Sequence, residues 1–179
     1  MNLYLTGYRG SGKSTVGAIL GKLLDWPVLD SDQQIEARAG KTITEIFADL
    51  GEAGFREIES AVIEELAQGD KTVVALGGGA VLAESNRLQI SRSGKVAWLK
   101  ISAQTSWSRI SADEKSASQR PNLTQSGGIE EIEQMLALRT PIYQSCADWV
   151  VEADALDPAA VAAVIFDHFE PLWRSSSEK

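Results

Sequence analysis

Two kinds of apolar pattern alternate along this chain. Short continuous runs, such as Leu3, Tyr4 and Leu5 or Val73 to Leu76, read as strands buried on both faces. Longer stretches repeat their apolar positions every three or four residues and read as helices. A strand over 2–6 precedes a helix with Val16, Ile19, Leu20, Leu23 and Leu24 on one face, broken by Trp26 and Pro27. A strand over 28–30 leads to a helix over 33–39, stopped at Gly40. Thr42 opens a short helix with Ile43, Ile46 and Phe47 inward, ending near Gly51. A longer helix over 52–68 follows, with Phe55, Ile58, Val62, Ile63 and Leu66 on its apolar face. Strands over 72–76, 95–101 and 149–151 are separated by helices over 84–91, 103–110 (capped near Ser102) and 129–143. A last helix over 158–169, N-capped by Asp157, ends in a tail expected to fray over 174–179. Residues 111–128 are polar, carry Pro121, and show no buried-face pattern, so they read as a mobile loop.

Strands alternating with helices imply an α/β fold with a parallel sheet and helices on both faces. Ligands of such sheets sit at the carboxyl ends of the strands. A length of 179 residues fits one domain, and a hydrophobic fraction of 44% supplies a core. The net charge of −8, with no basic stripe, argues against nucleic acid. One cysteine excludes an internal disulfide framework. With no leader pattern and no run long enough for a bilayer, the expectation is a cytoplasmic protein without a membrane partner.

The chemistry begins at residues 7–14, Gly-Tyr-Arg-Gly-Ser-Gly-Lys-Ser, a full match to the phosphate-loop pattern. Its strand-before, helix-after context fits. Backbone N–H groups of Gly10, Ser11 and Gly12, with Ser14 and Thr15 in the first helical turn, can cradle a polyphosphate such as ATP. Lys13 adds a cation for the outer phosphates, and Ser14 can place a hydroxyl on Mg²⁺. Tyr8 and Arg9 are candidates to cover the phosphates. Phosphoryl transfer also needs a carboxylate for the metal. The strand over 72–76 ends in glycine, so Asp30 and Asp32 are the candidates. Their i, i+2 spacing in an extended segment would point both the same way; the alternative is an Asp capping the next helix.

Gly77, Gly78 and Gly79 follow a buried strand and read either as close approach to a ligand or as a tight turn. Arg56, with Glu52 at i−4 and Glu59 at i+3, reads as a surface ion pair or an anion contact. Arg139, near a helix end, has the same two readings. Arg120 in the loop could close over phosphates. His168 is far from any motif, Cys146 reads as a small buried hydrophobe, and the five tryptophans read as packing.

From Met1 to about Leu172 the chain resembles the shikimate kinases. The resemblance rests on GYRGSGKSTVG at 7–17, LDSD at 29–32, IFADLGEAGFREIES at 46–60, ALGGGAV at 75–81, QRPNL at 119–123 and RTPIYQSCADWVV at 139–151. The phosphate loop alone would not separate this family from other small-molecule kinases. The resemblance implies a P-loop kinase fold: a five-stranded parallel sheet in the order 2-3-1-4-5 within a single domain over 1–172. It places a helical substrate region at about 31–60 and a mobile lid at about 111–127, with a polar tail over 173–179. It implies transfer of the ATP γ-phosphoryl group to the 3-hydroxyl of shikimate by a monomeric enzyme using Mg²⁺. By matching positions, Lys13, Asp32 and Arg120 are implied as catalytic, and Ser14 and Asp30 as metal partners. Arg120 is implied on the ATP side as well. Asp32, Arg56, Gly78, Gly79 and Arg139 are implied as shikimate contacts, Phe47 and Phe55 as apolar walls, and Arg109 as a neighbour of adenine. The rival readings are a gluconate or nucleoside monophosphate kinase of similar fold, and a nucleotide-binding regulatory module without turnover.

Overall fold

The computed structural model describes residues 1–112 and 128–177. Its strands are β1 (Asn2–Thr6), β2 (Val28–Asp30), β3 (Val73–Ala75), β4 (Gly94–Lys100) and β5 (Trp149–Glu152). They form one sheet in the order β2-β3-β1-β4-β5, and every pairing is parallel. The helices among the described residues are α1 (Lys13–Leu24), α2 (Ser31–Ala39), α3 (Ile43–Gln68), α4 (Glu84–Ser93), α5 (Ala103–Ala112), α6 (Gly128–Cys146) and α7 (Pro158–Ser177). None is long and apolar enough to cross a membrane.

The central strand explains why the sequence shows runs rather than alternation. All five residues of β1 are buried. Leu3 and Leu5 pack with Val16 and Leu20 of α1 and with Ile165 and Phe169 of α7. Tyr4 faces the opposite core with Ile63 of α3, Ile90 of α4 and Tyr143 of α6. With helices on both faces, neither side of the strand can be polar. The register pairs Leu5 with Ala75 on one side and Ala97 on the other. The chain runs outward from β1 to β2, returns through β3, and crosses to β4, so the strand order reverses about β1. A crevice therefore opens at the carboxyl end of β1, where the phosphate loop begins.

Several local features differ from the sequence reading. α2 starts at Ser31, not Gln33. Asp30 is its N-cap, with the carboxylate accepting from Asp32 N and Gln33 N at 2.9 and 3.3 Å. Asp30 and Asp32 therefore do not share an extended segment; the cap satisfies N–H groups that the first turn leaves without partners. The two helices expected on either side of Gly51 are present as two arms of α3. Thr42 caps the first through a reciprocal capping box with Glu45, and Gly51 breaks the helix at φ 67° and ψ −173°. The tail expected to fray is helical as far as Ser177, and Trp173 packs edge-on against Trp26 at 5.7 Å. Residues 111 and 112 finish α5; the rest of the expected lid, with Arg120, lies outside the described residues.

Candidate active site

The phosphate loop is shaped by glycines in backbone conformations that other residues resist. Gly7, Gly10 and Gly12 have φ of 145°, 76° and 89°. A Cβ on Gly7 would also lie 2.6 Å from the carbonyl of Leu99. Gly12 precedes α1, and no side chain caps that helix, so its first N–H groups are presented to the cleft. The Lys13 ammonium donates to the carbonyls of Gly7 and Tyr8 at 2.8 and 3.1 Å and to Ser11 Oγ at 3.3 Å. α5 braces the loop from behind. Ser106 Oγ donates to Arg9 O at 2.9 Å, and Arg109 Nη1 donates to Gly10 O at 3.0 Å. Arg109 thus sits on the nucleotide side of the cleft, and Ser106 is a support that no motif announced.

Beside the loop lies a cavity of about 300 Å³, lined by Lys13, Ser14, Asp30, Asp32, Glu36 and Gly77 among others. Ser14 and Thr15 are exposed at the start of α1. Ser14 Oγ donates to Asp30 Oδ2 at 3.1 Å. The capping reading of Asp30 therefore holds, with one oxygen on α2 and the other facing Ser14. Glu36 was not singled out, although it stands one turn beyond Asp32 on the same helix. Its Oε1 accepts from Ile43 N at 3.0 Å and so ties α2 to the start of α3.

Gly77, Gly78 and Gly79 form the floor where the remaining candidates meet. None of the three has a positive φ, so conformation does not demand glycine here. They do make a tight turn, with Ala80 N and Leu82 N donating to Gly77 O and Gly79 O at 3.0 Å each. What glycine provides is close approach of the Asp32 and Arg56 side-chain ends to the first and third positions. A Cβ on Gly77 would collide with Asp32 Oδ1, and one on Gly79 would lie 2.6 Å from Arg56 Nη1. A Cβ on Gly78 would lie 3.5 Å from Gly7 O and 3.8 Å from Arg139 Nη1. Three successive glycines thus meet Asp32, the phosphate loop with Arg139, and Arg56. The buried Ser31, also missed, accepts at Oγ from Gly77 N at 2.8 Å and fixes this turn to α2.

The two arginines differ. Arg56 pairs with Glu59 at 2.7 Å and with Glu52 at 3.3 Å, and its Cζ lies 5.2 Å from the ring centre of Phe55. Phe55 in turn stacks on Phe47 at 4.5 Å. The reading as a surface pair is corrected for Glu59, which is buried. Burial works against the Arg56 charge, but Glu59 and Glu52 outweigh it and hold its pKa above the usual value. Arg139 is 8% exposed and has no carboxylate within ion-pairing distance among the described residues. Its Nη1 reaches Gly78 O at 3.4 Å, and its Cζ lies 5.6 Å from the ring centre of Tyr8. Tyr143 donates to the same Gly78 carbonyl at 2.6 Å. Burial pushes the Tyr143 hydroxyl up to about 12, against the opposing charge of Arg139, so it remains a neutral donor. The ring of Tyr8 is buried with the Arg139 guanidinium over it, while Arg9 lines the cleft.

Neither arginine lines the 300 Å³ cavity itself. Arg139 stands against Gly78 of its lining, and Arg56 against the next glycine, Gly79. His168 stacks on Trp149 at 6.1 Å, away from the cleft. Cys146 is half-buried, and burial raises its thiol pKa, as suits a small hydrophobe.

The comparisons with known proteins give the family. The family model described as shikimate kinase matches residues 9–170. A shikimate kinase of Pseudomonas fluorescens is 41% identical over 171 residues, covering 96% of this chain and 97% of that protein. The solved structure of shikimate kinase from Acinetobacter baumannii in complex with shikimate superposes with a TM-score of 0.87 at 33% identity, covering 99% of this chain and 95% of that one. A gluconokinase from Sinorhizobium meliloti shares the fold alone, with a TM-score of 0.56 at 17% identity over 98% of this chain and 97% of its own. Coverage is similar in all of these matches, but the shikimate kinases reach 33–41% identity, and the chain belongs to the shikimate kinase family.

Proposed function

We propose that this chain transfers the γ-phosphoryl group of ATP to the 3-hydroxyl of shikimate, giving shikimate 3-phosphate and ADP on the route to chorismate and the aromatic amino acids. The observation that carries the acid pocket is Arg139: a buried cation with no carboxylate partner among the described residues, one glycine away from the loop that holds Lys13. A buried guanidinium is costly without a counter-ion, and a bidentate carboxylate is the partner its geometry suits. Shikimate carries one carboxylate on a hydroxylated ring. Arg56 supplies the second guanidinium, held in place by Glu59, with Phe47 and Phe55 as apolar walls and Gly78 and Gly79 as close backbone contacts.

On the nucleotide side, the N–H groups from Gly10 to Thr15 receive the phosphates, and Lys13 exchanges its carbonyl partners for phosphate oxygens. Ser14 Oγ and Asp30 Oδ2, 3.1 Å apart at the cleft edge, are the oxygen donors that suit Mg²⁺, an ion that usually keeps waters and phosphates as its other ligands. Bound there, Mg²⁺ would offset charge on the β- and γ-phosphate oxygens. Asp32 lies against Gly77 between the two halves, where its carboxylate orients the acceptor hydroxyl and takes its proton. Arg120, outside the described residues, is assigned to the transferring phosphoryl group on the family resemblance alone. Transfer is direct and in line, because neither His168 nor Cys146 reaches the cleft to carry a phosphoryl group. The test is ADP release measured side by side with shikimate, gluconate and AMP as acceptors. Turnover on shikimate alone is expected; comparable turnover on gluconate or AMP would contradict the assignment.

A further inference from the structure

We propose that Tyr8, at a position the phosphate-loop pattern leaves unspecified, is a positioning residue for Arg139 and thereby sets affinity for the carboxylate substrate. The inference rests on the reading of Arg139 as a carboxylate clamp.

Tyr8 faces two ways. Its carbonyl belongs to the nucleotide side, accepting from Lys13 Nζ at 3.1 Å and from Ser11 N at 3.2 Å. Its ring belongs to the acid side: the residue is 3% exposed, and the ring centre lies 5.6 Å from Arg139 Cζ. That distance is within the range of a cation–π contact, and burial strengthens such contacts. The other contacts of the guanidinium are with the hydroxyl of Tyr143 and the carbonyl of Gly78. The bond from Nη1 to Gly78 O is long at 3.4 Å, and Arg139 Nε has no hydrogen-bond partner among the described residues. The ring of Tyr8 is the aromatic surface that the guanidinium lies over. A contact of this kind occupies the guanidinium face and leaves its in-plane N–H fork for a carboxylate. No motif marks this role, because the position between the first and second glycines of the loop is unspecified in the phosphate-loop pattern.

The test is calorimetric shikimate binding to the full chain as wild type, Tyr8→Leu, Tyr8→Phe, Arg139→Ala and the double variant Tyr8→Leu/Arg139→Ala. Thermal melts check folding, and Tyr8→Met replaces Tyr8→Leu if the latter melts early. Tyr8→Leu is expected to weaken shikimate about 10- to 30-fold, the size of a desolvated cation–π contact. Tyr8→Phe, which keeps the ring, should restore most of that affinity. In steady-state assays Tyr8→Leu should raise the KM for shikimate more than it lowers kcat. In the Arg139→Ala background Tyr8→Leu should have no further effect. Wild-type affinity in Tyr8→Leu would overturn the inference, as would an equal loss with and without Arg139, since the ring would then only prop the loop. Unchanged shikimate affinity in Arg139→Ala would overturn the clamp reading itself, so the two failures are distinguishable.

Discussion

The two halves of the cleft are built in opposite ways. The nucleotide side comes from one stretch of chain, residues 7–15, and its shape follows from local backbone: three glycines at positive φ and the uncapped start of α1. The acid side, as proposed, is collected from Asp32 on α2, Arg56 on α3, the glycine turn after β3, and Arg139 on α6. Its geometry depends on four elements packing correctly, and its glycines lie close to neighbouring side chains without a backbone conformation that demands glycine. A contiguous site tolerates drift of the surrounding helices. A collected site converts any such drift into misplacement of the substrate. Substitutions on the two sides should therefore leave different kinetic marks.

The largest effects belong to the groups assigned to the transferring phosphoryl group. Arg120→Ala should lower kcat by about 10³-fold if it acts as an arginine finger does. Lys13→Ala should lower kcat by about 10²- to 10³-fold, the loss expected when one preorganised charge contact is removed. Single-turnover transfer separates both from changes in product release. On the acid side the mark should move to KM. Arg139→Ala should raise the KM for shikimate by about 10²-fold, the scale of losing one partner of a desolvated charge pair, with ATP affinity unchanged in titrations. Equal losses for both substrates would instead point to a misfolded cleft. Gly79→Ala should act more mildly, because its methyl group must displace the Arg56 guanidinium that Glu59 holds. A rise in shikimate KM of about 10-fold is expected, less than the roughly 10²-fold that a full 1 Å misplacement can cost. The smallest effect tests the scaffold of the acid side. Thr42→Ala removes the capping box of α3 and should cost about 1 kcal/mol in urea unfolding.

The same contrast explains what could be read from the chain before its structure. The phosphate loop was legible because its glycines and lysine lie at fixed local spacings. The sheet was legible because β1, β3 and β4 are apolar on both faces. The break at Gly51 and the cap at Thr42 were legible for the same local reason. The start of α2 was missed because Asp30 continues the extended run of β2 while its side chain already caps the helix. Ser31, Glu59 and Tyr143 were missed as site supports because each contributes through a side-chain contact that no motif marks: to Gly77 N, Arg56 Nη1 and Gly78 O. For Ser31 and Tyr143 that partner lies 46 and 65 residues away, a distance at which sequence spacing carries no signal. For Glu59 the i+3 spacing to Arg56 was visible, but its burial was not, because burial is decided by what packs against α3.

The account holds that phosphates on the Lys13 loop and the carboxylate of the acceptor meet across the glycine turn at 77–79. A crystal structure with shikimate and a non-hydrolysable ATP analogue tests this most directly. The predicted result has the shikimate carboxylate within hydrogen-bond distance of both Arg56 and Arg139, and its 3-hydroxyl against Asp32, facing the γ-phosphate on Lys13. A carboxylate that leaves either guanidinium untouched, or a 3-hydroxyl turned away from that phosphate, would contradict it.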